Sequence, residues 1–233
     1  MLKRTKVSDI RMAFKDLLAW SDDENEMLEI VNASFVADKP TIFGELNHDY
    51  IESEKQWYLS ESLDVYDIPG KTPQIWKNIA DNDGMINSNY GWCQFSDANH
   101  NQYDKALAAI KADSDTRQAT MIFNRPTMHE DAFRNCMSDF MCTYAHQLIL
   151  RDGKLDYLVF MRSNDVVFGY RNDKAWADYV HQRAADELGV ELGTMYWNAA
   201  SLHVYPRHRK LINGETHDIY SHGTTMSRFT GAR

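Results

Sequence analysis

Four segments of the chain carry apolar residues at intervals of three and four, the spacing that gathers them on one face of an α-helix. The predicted helices cover residues 8–20, 47–63, 103–112 and 173–188. Ser8 and Asn47 begin the first two and suit the N-cap position, because their side-chain oxygens accept hydrogen bonds from free backbone N–H groups. Gly189 follows the last segment and suits the left-handed turn that ends many helices.

Five other segments are apolar or alternate apolar with polar residues, which predicts β-strands. They cover residues 28–36, 120–123, 140–150, 155–162 and 195–205. The third and fourth are joined by a short turn containing Asp152 and Gly153, a strong signal for a β-hairpin. This order of elements predicts an α+β fold whose sheet contains antiparallel pairs. Because no repeat or flexible linker interrupts the chain, we expect one domain covering residues 1–233.

The composition narrows the class of protein further. The 233 residues include 25 Lys and Arg against 34 Asp and Glu, a formal net charge of −9. Such acidity disfavours binding of duplex nucleic acid without sequence preference, but it permits a small anionic substrate held by arginines. Three cysteines do not make a disulfide framework, and no run of 18 apolar residues occurs, so we expect a soluble cytoplasmic protein without membrane contact. The histidines lack the spacing of a zinc site, so no metal is expected.

Glu54 is the first candidate for chemistry. It follows Ile51 by three residues and precedes Tyr58 by four, so it shares the apolar face of its predicted helix. A carboxylate is costly to bury without a partner. Two interpretations stand: a partly exposed position at the edge of this face, or an acid or base inside a pocket.

Cys142 is the second candidate. A two-residue turn at Asp152 and Gly153 places position 142 opposite position 163, within one residue of Arg162. A cationic neighbour lowers the pKa of a thiol and makes the thiolate available as a nucleophile. The alternative is a buried and inert cysteine.

Polar residues also follow the predicted strand at 155–162 and alternate with apolar residues in the final predicted strand at 195–205. Residues 162–165 and 171–173 are polar strings that form either a solvated loop or a site beside the candidate thiol. His203 and Tyr205 alternate on the final strand. They are either members of the core with satisfied hydrogen bonds or a pair that binds a ligand.

Several longer strings, taken together and in order, resemble the thymidylate synthase superfamily. They lie between about Ile30 and Lys210 and read NASFVAD from Asn32, INSNYGW from Ile86, MSDFMCT from Met137, MRSNDVVFG from Met161 and SLHVY from Ser201. Within the superfamily they are most similar to the T-even phage branch that hydroxymethylates dCMP. The resemblance implies the thymidylate synthase fold, with a mixed sheet covered by helices and two sheets packed back to back in a homodimer.

The resemblance also implies roles for individual residues. Cys142 matches the nucleophile that adds to carbon 6 of the pyrimidine, and Arg162 with Ser163 matches the groups that hold the nucleotide phosphate. Glu54 matches the carboxylate that organises water and proton transfer, and Tyr90 matches a tyrosine near the carbon-5 proton. The other matches are Arg117 for phosphate, lent across the dimer interface, His203 and Tyr205 for the deoxyribose hydroxyl, and Trp76 and Asp165 for the folate side.

Asp173 distinguishes between branches of the family. Thymidylate synthases have an asparagine there, whose amide complements uracil. Cytosine reverses the pattern of donor and acceptor, and a carboxyl group fits it: one oxygen accepts from the amino group while a shared proton bridges to ring nitrogen 3. Burial of Asp173 would raise its pKa and favour this sharing. Asp173 therefore argues for dCMP, and it can also be the N-cap of the predicted helix that follows it.

The implied reaction converts dCMP, 5,10-methylenetetrahydrofolate and water into 5-hydroxymethyl-dCMP and tetrahydrofolate. The implied setting is the cytoplasm of a virus-infected host, with a nucleotide-synthesis complex as a further partner. Two alternatives stay open: methyl transfer to dUMP or dCMP, and a catalytically silent protein that binds nucleotide or RNA.

Three features depart from the family pattern. Gln118 stands where relatives carry a second phosphate-binding arginine, and residues 21–26 are acidic or neutral where relatives bring a basic residue. Arg125 and Arg171 are candidates to compensate. The tail, residues 223–233, matches no part of the family that we can place.

Overall fold

The structure, a computed structural model, describes residues 4–213, so the tail at 223–233 lies outside the described residues. The strands of this part are β1 (Leu28–Val36), β2 (Thr120–Ile122), β3 (Thr143–Arg151), β4 (Lys154–Asp165) and β5 (Glu191–Val204). Its helices are α1 (Val7–Trp20), α2 (His48–Leu59), α3 (Gln74–Ile79), α4 (Tyr90–Phe95), α5 (Gln102–Ala112), α6 (Met128–Asp131), α7 (Gly169–Leu188) and α8 (Arg209–Ile212). Single 3₁₀ turns lie at Val65–Asp67, Asp97–Asn99, Arg134–Cys136 and Pro206–His208.

The strands form one sheet in the order β1-β5-β4-β3-β2. All neighbouring pairs are antiparallel except β4 and β5, which run parallel and are joined by the crossover helix α7. A parallel pair needs such a crossover because its strands must start from the same edge. The prediction of an α+β fold with antiparallel pairs in a mixed sheet is confirmed.

The β3–β4 hairpin sets the position of the candidate nucleophile. Its turn residues Asp152 and Gly153 have positive φ angles of 50° and 72°, as a tight hairpin turn requires. A bulge between Thr143 and Ala145 then shifts the register by one residue. The predicted pairing of position 142 with 163 is therefore wrong by one residue: the backbone N–H of Arg162 donates to the Cys142 carbonyl at 2.8 Å.

Helix α7 begins earlier than the sequence predicted. It starts at Gly169, so Asp173 lies inside its second turn and is not its N-cap. The free N–H groups before this start are satisfied by Asp165, whose carboxylate accepts from the backbone of Val167 at 3.3 Å and Phe168 at 2.8 Å. The capping interpretation of Asp173 is wrong because the residue lies within the helix, four residues after its first residue Gly169.

Two other helix starts show opposite outcomes. The Asn47 side chain accepts from the backbone N–H of Tyr50 at 3.0 Å, so its predicted N-cap role is confirmed. Ser8 does not cap α1, because the helix starts at Val7 and Asp9 accepts from the Lys6 N–H instead.

The two faces of the sheet differ in burial. One face belongs to the core and includes Leu148, Val159 and Trp197, which are fully buried. The other carries Leu158, Phe160 and Tyr196 on the two central strands, and these side chains stay partly exposed. Within residues 4–213, no helix combines the length and the apolar character needed to cross a lipid bilayer.

Candidate active site

Cys142 and Arg162 meet at the start of the β3–β4 hairpin. Cys142 lies in the bend just before β3, and the guanidinium Nη2 of Arg162 is 3.7 Å from its Sγ. The same guanidinium donates to the carbonyls of Met141 at 3.0 Å and Phe140 at 2.6 Å. These bonds hold the cation against residues 140–142, which we call the nucleophile loop after the candidate nucleophile Cys142. The sequence predicted this proximity of Arg162 to Cys142.

The electrostatic balance at the thiol favours its neutral form. Burial raises the pKa of Cys142 to about 11, while Arg162 lowers it and the carboxyls of Asp173 and Asp139 raise it. The predicted activation by Arg162 is present, but desolvation outweighs it in the free protein. A thiolate is therefore expected to form only when a bound ligand changes this balance.

Glu54 lies inside the molecule, on the inner face of α2. It is only 5% exposed, which excludes the interpretation as an exposed edge position. Tyr50 donates to its Oε1 at 2.5 Å, and the indole N–H of Trp76 donates to the Tyr50 hydroxyl at 2.9 Å. Burial raises the pKa of Glu54 to about 7, against the lowering effect of hydrogen bonds from Tyr50, Trp76 and Tyr58. Glu54 can therefore both accept and donate a proton near neutral pH.

Asp173 projects from α7 toward Glu54. Burial raises the pKa of Asp173 to about 8, and the charge of Glu54 adds to the rise. Hydrogen bonds from Asn164 and Tyr90 oppose it. Asp173 is thus a neutral carboxylic acid at pH 7, the state that the sequence analysis expected for a group that shares a proton with cytosine.

Tyr90 connects the acid to the nucleophile loop. Its ring is buried and stacks on Tyr58 with a centroid distance of 5.4 Å. The hydroxyl of Thr143, next to Cys142, donates to the Tyr90 hydroxyl at 2.8 Å. Burial, and the charges of Asp173 and Cys142, raise the pKa of Tyr90 well above its usual value, so the phenol stays protonated.

His203 and Tyr205 lie side by side at the end of β5, with ring centroids 4.8 Å apart. His203 Nδ1 faces the hydroxyl of Ser201 at 3.3 Å, while its buried Nε2 has no hydrogen-bond partner within residues 4–213. Such an orphaned nitrogen suits a ligand hydroxyl. Burial lowers the pKa of His203, so the ring is neutral. Arg207 stacks over the Tyr205 ring, with its guanidinium carbon 4.3 Å from the ring centroid, and adds a cation beside this pair.

The other arginine candidates for the phosphate clamp differ in their surroundings. Arg117 is exposed near the edge strand β2. Arg125 is held by Asp131 at 2.8 Å, and Arg171 donates to the Glu45 carbonyl. Arg209 binds the carbonyls of Asp23 and Glu26, which anchors the acidic segment to α8.

Three further residues of the site had been given no individual role by the sequence analysis. Tyr50 is one, since it links Trp76 to Glu54. Asp139 is another: its carboxylate binds the Ser88 hydroxyl at 2.6 Å and so joins the segment before α4 to the nucleophile loop. Asn164 contacts Asp173 directly. Asp139 and Asn164 lie in the quoted strings and Tyr50 lies on the predicted helix of Glu54, but nothing in residue type or spacing indicated which partner each would meet.

Asp165 and Trp76, the predicted folate-side residues, both have structural partners. Asp165 binds the start of α7, and the ring of His208 lies 4.0 Å away. Trp76 is partly exposed and packs edge-on against Trp57 at 5.1 Å. No group of three or more potential metal ligands occurs in the described part of the chain.

The chain is similar in sequence to several known proteins. The profile of the thymidylate synthase family matches residues 45–221. The deoxycytidylate 5-hydroxymethyltransferase of Enterobacteria phage T2 is 49% identical over 204 residues, which cover 82% of this chain and 83% of that protein. The enzyme of the same name from Enterobacteria phage T4 is 49% identical over 202 residues, which cover 82% of each chain. The deoxyuridylate hydroxymethyltransferase of Bacillus phage SP01 is 33% identical over 69% of this chain and 44% of its own length.

A solved structure supports the same fold. Thermostable thymidylate synthase A from Bacillus subtilis superposes with a TM-score of 0.68 and 21% sequence identity. The superposition covers 89% of this chain and 82% of that one.

Proposed function

This chain belongs to the thymidylate synthase family, and we propose that it hydroxymethylates dCMP with 5,10-methylenetetrahydrofolate and water. The observation that carries the proposal is the buried acid Asp173, held by Asn164 Nδ2 at 2.7 Å, in the same site as the Cys142–Arg162 pair, whose Sγ and Nη2 atoms are 3.7 Å apart. The 49% identity to phage deoxycytidylate 5-hydroxymethyltransferases over most of the chain supports the same substrate.

The proposed reaction begins at the thiol. Loss of its proton to solvent and attack of sulfur on carbon 6 make carbon 5 nucleophilic, which an aromatic pyrimidine otherwise is not. Arg162, whose Nη2 lies 3.7 Å from Sγ, favours the thiolate, and in this proposal it binds the phosphate together with Ser163. The position of the substrate and the charge of the nucleophile therefore both depend on one guanidinium.

Asp173 recognises the base and assists the addition. One carboxyl oxygen accepts from the cytosine amino group, and the carboxyl proton is shared with ring nitrogen 3. Passing that proton to the ring draws electrons from carbon 6 and makes it more electrophilic. A pKa of about 8 keeps the proton available at neutral pH.

The one-carbon unit comes from the folate, which, when bound, supplies it at the oxidation level of formaldehyde. Trp76 offers a partly exposed aromatic surface for a flat ring, and it is linked through Tyr50 to Glu54. Asp165 is the second proposed folate-side residue. Tyr90 lies near the proton on carbon 5 of the substrate. Glu54, with a pKa of about 7, activates the water whose oxygen becomes the hydroxymethyl oxygen.

We further propose that two copies form the functional unit in the cytoplasm of an infected cell. Leu158, Phe160 and Tyr196 give the partly exposed face of the sheet an apolar centre suited to a second sheet. Arg117 would then reach the phosphate of the neighbouring copy, which completes a clamp that one chain lacks. His203 and Tyr205 bind the deoxyribose hydroxyl in this arrangement.

The test is mass spectrometry of the nucleotides after incubation with dCMP, dUMP and methylenetetrahydrofolate together. A gain of CH₂O on dCMP alone is expected. A gain of CH₂, with dihydrofolate absorbance, would replace the proposal by methyl transfer. Binding of dCMP without any product would replace it by a binding protein.

A further inference from the structure

Asn164, at the end of β4, connects the base-reading acid to the core of the sheet. It is only 3% exposed. Its Nδ2 donates to Asp173 Oδ2 at 2.7 Å, and its Oδ1 accepts from the indole Nε1 of Trp197 at 3.2 Å. Trp197 is itself fully buried. The three side chains form a chain of two hydrogen bonds that runs from the core to the substrate site.

The donor and acceptor in each of these two hydrogen bonds are fixed by the chemistry of the side chains. An indole N–H only donates, so the Asn164 atom that faces it must be the carbonyl oxygen. The amide nitrogen must then face Asp173, as a flipped amide would set two donors against each other at Trp197. Gly169 leaves room for this contact: a Cβ at this position would lie 3.2 Å from Asn164 Nδ2 and 3.8 Å from Asp173 Oδ2.

We propose that Trp197 and Asn164 fix the hydrogen-bond polarity of residue 173 and thereby determine which pyrimidine base is accepted. The oxygen that Asn164 holds, Oδ2, is assigned to the side that faces ring nitrogen 3. Asn164 and Trp197 are positioning residues, since they act through Asp173. This inference rests on the proposed function.

The assignment explains how the acid would release its proton. A hydrogen bond to a carboxylate oxygen is stronger than one to a protonated oxygen. The N–H of Asn164 therefore favours transfer of the shared proton from Oδ2 to the ring. The other groups that face Asp173 are acidic or phenolic: Glu54, Tyr50 and Tyr58 from α2, Tyr90 from α4, Asp165 from β4 and Cys142 before β3. Negative charge on Glu54 and Asp165 disfavours the ionised form of Asp173, and the hydrogen bond from Asn164 offsets part of this effect.

We call the two hydrogen bonds from Trp197 to Asn164 and from Asn164 to residue 173 the polarity lock. The polarity lock also determines which hydrogen-bond donor and acceptor an asparagine at position 173 would present to the base. In Asp173→Asn, the Asn164 N–H can only face the new carbonyl, which turns the new amide N–H₂ toward the substituent on carbon 4. That pattern fits uracil and not cytosine. Without the indole N–H, the Asn164 amide can turn over, the amide at 173 can follow, and both bases become acceptable.

The experiment compares kcat/KM for dCMP and dUMP in Asp173→Asn with and without Trp197→Phe. We expect Asp173→Asn to prefer dUMP by about tenfold or more, and the double variant to return to within about threefold of parity. A general loss of folding would lower both values together and leave the ratio unchanged. The matched control is Trp176→Phe in the same background: this tryptophan is 3% exposed, and its N–H ends on Gln94. The control should keep the dUMP preference.

An unchanged ratio in the double variant would overturn the polarity lock, as would an equal change with Trp176→Phe. Equilibrium binding of dCMP and dUMP gives the same ratio without turnover, so the lock is tested even if the wild-type protein makes no hydroxymethyl product. A second readout is the pH profile of otherwise wild-type protein carrying Asn164→Leu. Loss of the N–H should move the alkaline limit of turnover upward in pH, and an unmoved limit with lower kcat would indicate a structural role only.

Discussion

Cys142 shows how far the chemistry of one residue depends on its surroundings. The guanidinium of Arg162 lies 3.7 Å from its sulfur, yet burial raises the pKa of the thiol and keeps it neutral. The nucleophile would thus be silent until a substrate enters. This would protect the thiol from side reactions, because thiolate reactivity follows thiolate population.

Replacing the nucleophile separates turnover from binding. Cys142→Ala should lower kcat/KM for dCMP by roughly 10⁴-fold or more, because no covalent adduct can form. Binding of dCMP, measured by calorimetry, should change little. Cys136→Ala is the control, since that cysteine is exposed and lies outside the site. Turnover that survives in Cys142→Ala would contradict the proposed mechanism.

The titration of Asp173 gives a pH dependence with a definite sign. Its pKa is raised to about 8, so the acid is fully protonated below about pH 7 and ionised above about pH 9. Turnover of dCMP requires the proton and should therefore fall on the alkaline side. Asp173→Asn has no such group and should lose this limb when kcat/KM for dUMP is followed against pH. A wild-type profile that stays flat up to pH 10 would argue against the role of the acid.

Among the elements, α2 delivers a carboxylate to the interior. Its N-terminus is fixed by Asn47, and its inner face combines the fully buried Trp57 with Tyr58 and Glu54. The apolar face that anchors the helix is the face that carries the acid. Stability and function therefore oppose each other at this position.

Glu54→Gln should stabilise the protein while it lowers turnover. The pKa of Glu54 rises from 4.5 to about 7 on folding, so the folded state loses stability relative to the unfolded chain as pH increases between these values. The variant should match wild type near pH 4 and exceed it by about 1–3 kcal/mol above pH 7 in chemical denaturation. Glu52→Gln, an exposed site on the same helix, should give no such gain. Equal stability of Glu54→Gln and wild type at pH 8 would contradict this argument.

For the whole molecule, the partly exposed sheet face and Arg117 point to the same proposed assembly. Mixing Cys142→Ala with Arg117→Ala tests it, because a mixed dimer would contain one site that lacks neither residue. If each variant alone is inactive, random pairing should restore about a quarter of wild-type activity. Adding Leu158→Asp to both variants should prevent the rescue and shift the mass measured by light scattering to that of one chain. No rescue from a mixture that forms dimers would place Arg117 outside the partner's site.

Much of the fold was readable from local pattern. The strand β1 was predicted with its observed ends, and the Asp152-Gly153 hairpin and the Asn47 cap were also correct, because each depends on residues adjacent in the chain. Errors arose from local geometry that the apolar pattern does not specify. The start of α7 was predicted four residues too late because Asp165 binds its free N–H groups, and the hairpin register shifted through a bulge.

The sequence by itself determined the residue types that the proposed chemistry needs. They are Cys142, Arg162 on the opposite strand of the predicted hairpin, and the acid Asp173. Only the tertiary structure decided their charge states, since the pKa values of Cys142, Glu54 and Asp173 depend on burial. It also decided the polarity of Asn164, which Trp197 sets from another strand. Desolvation and hydrogen-bond direction depend on groups far apart in the chain, and no local pattern records them.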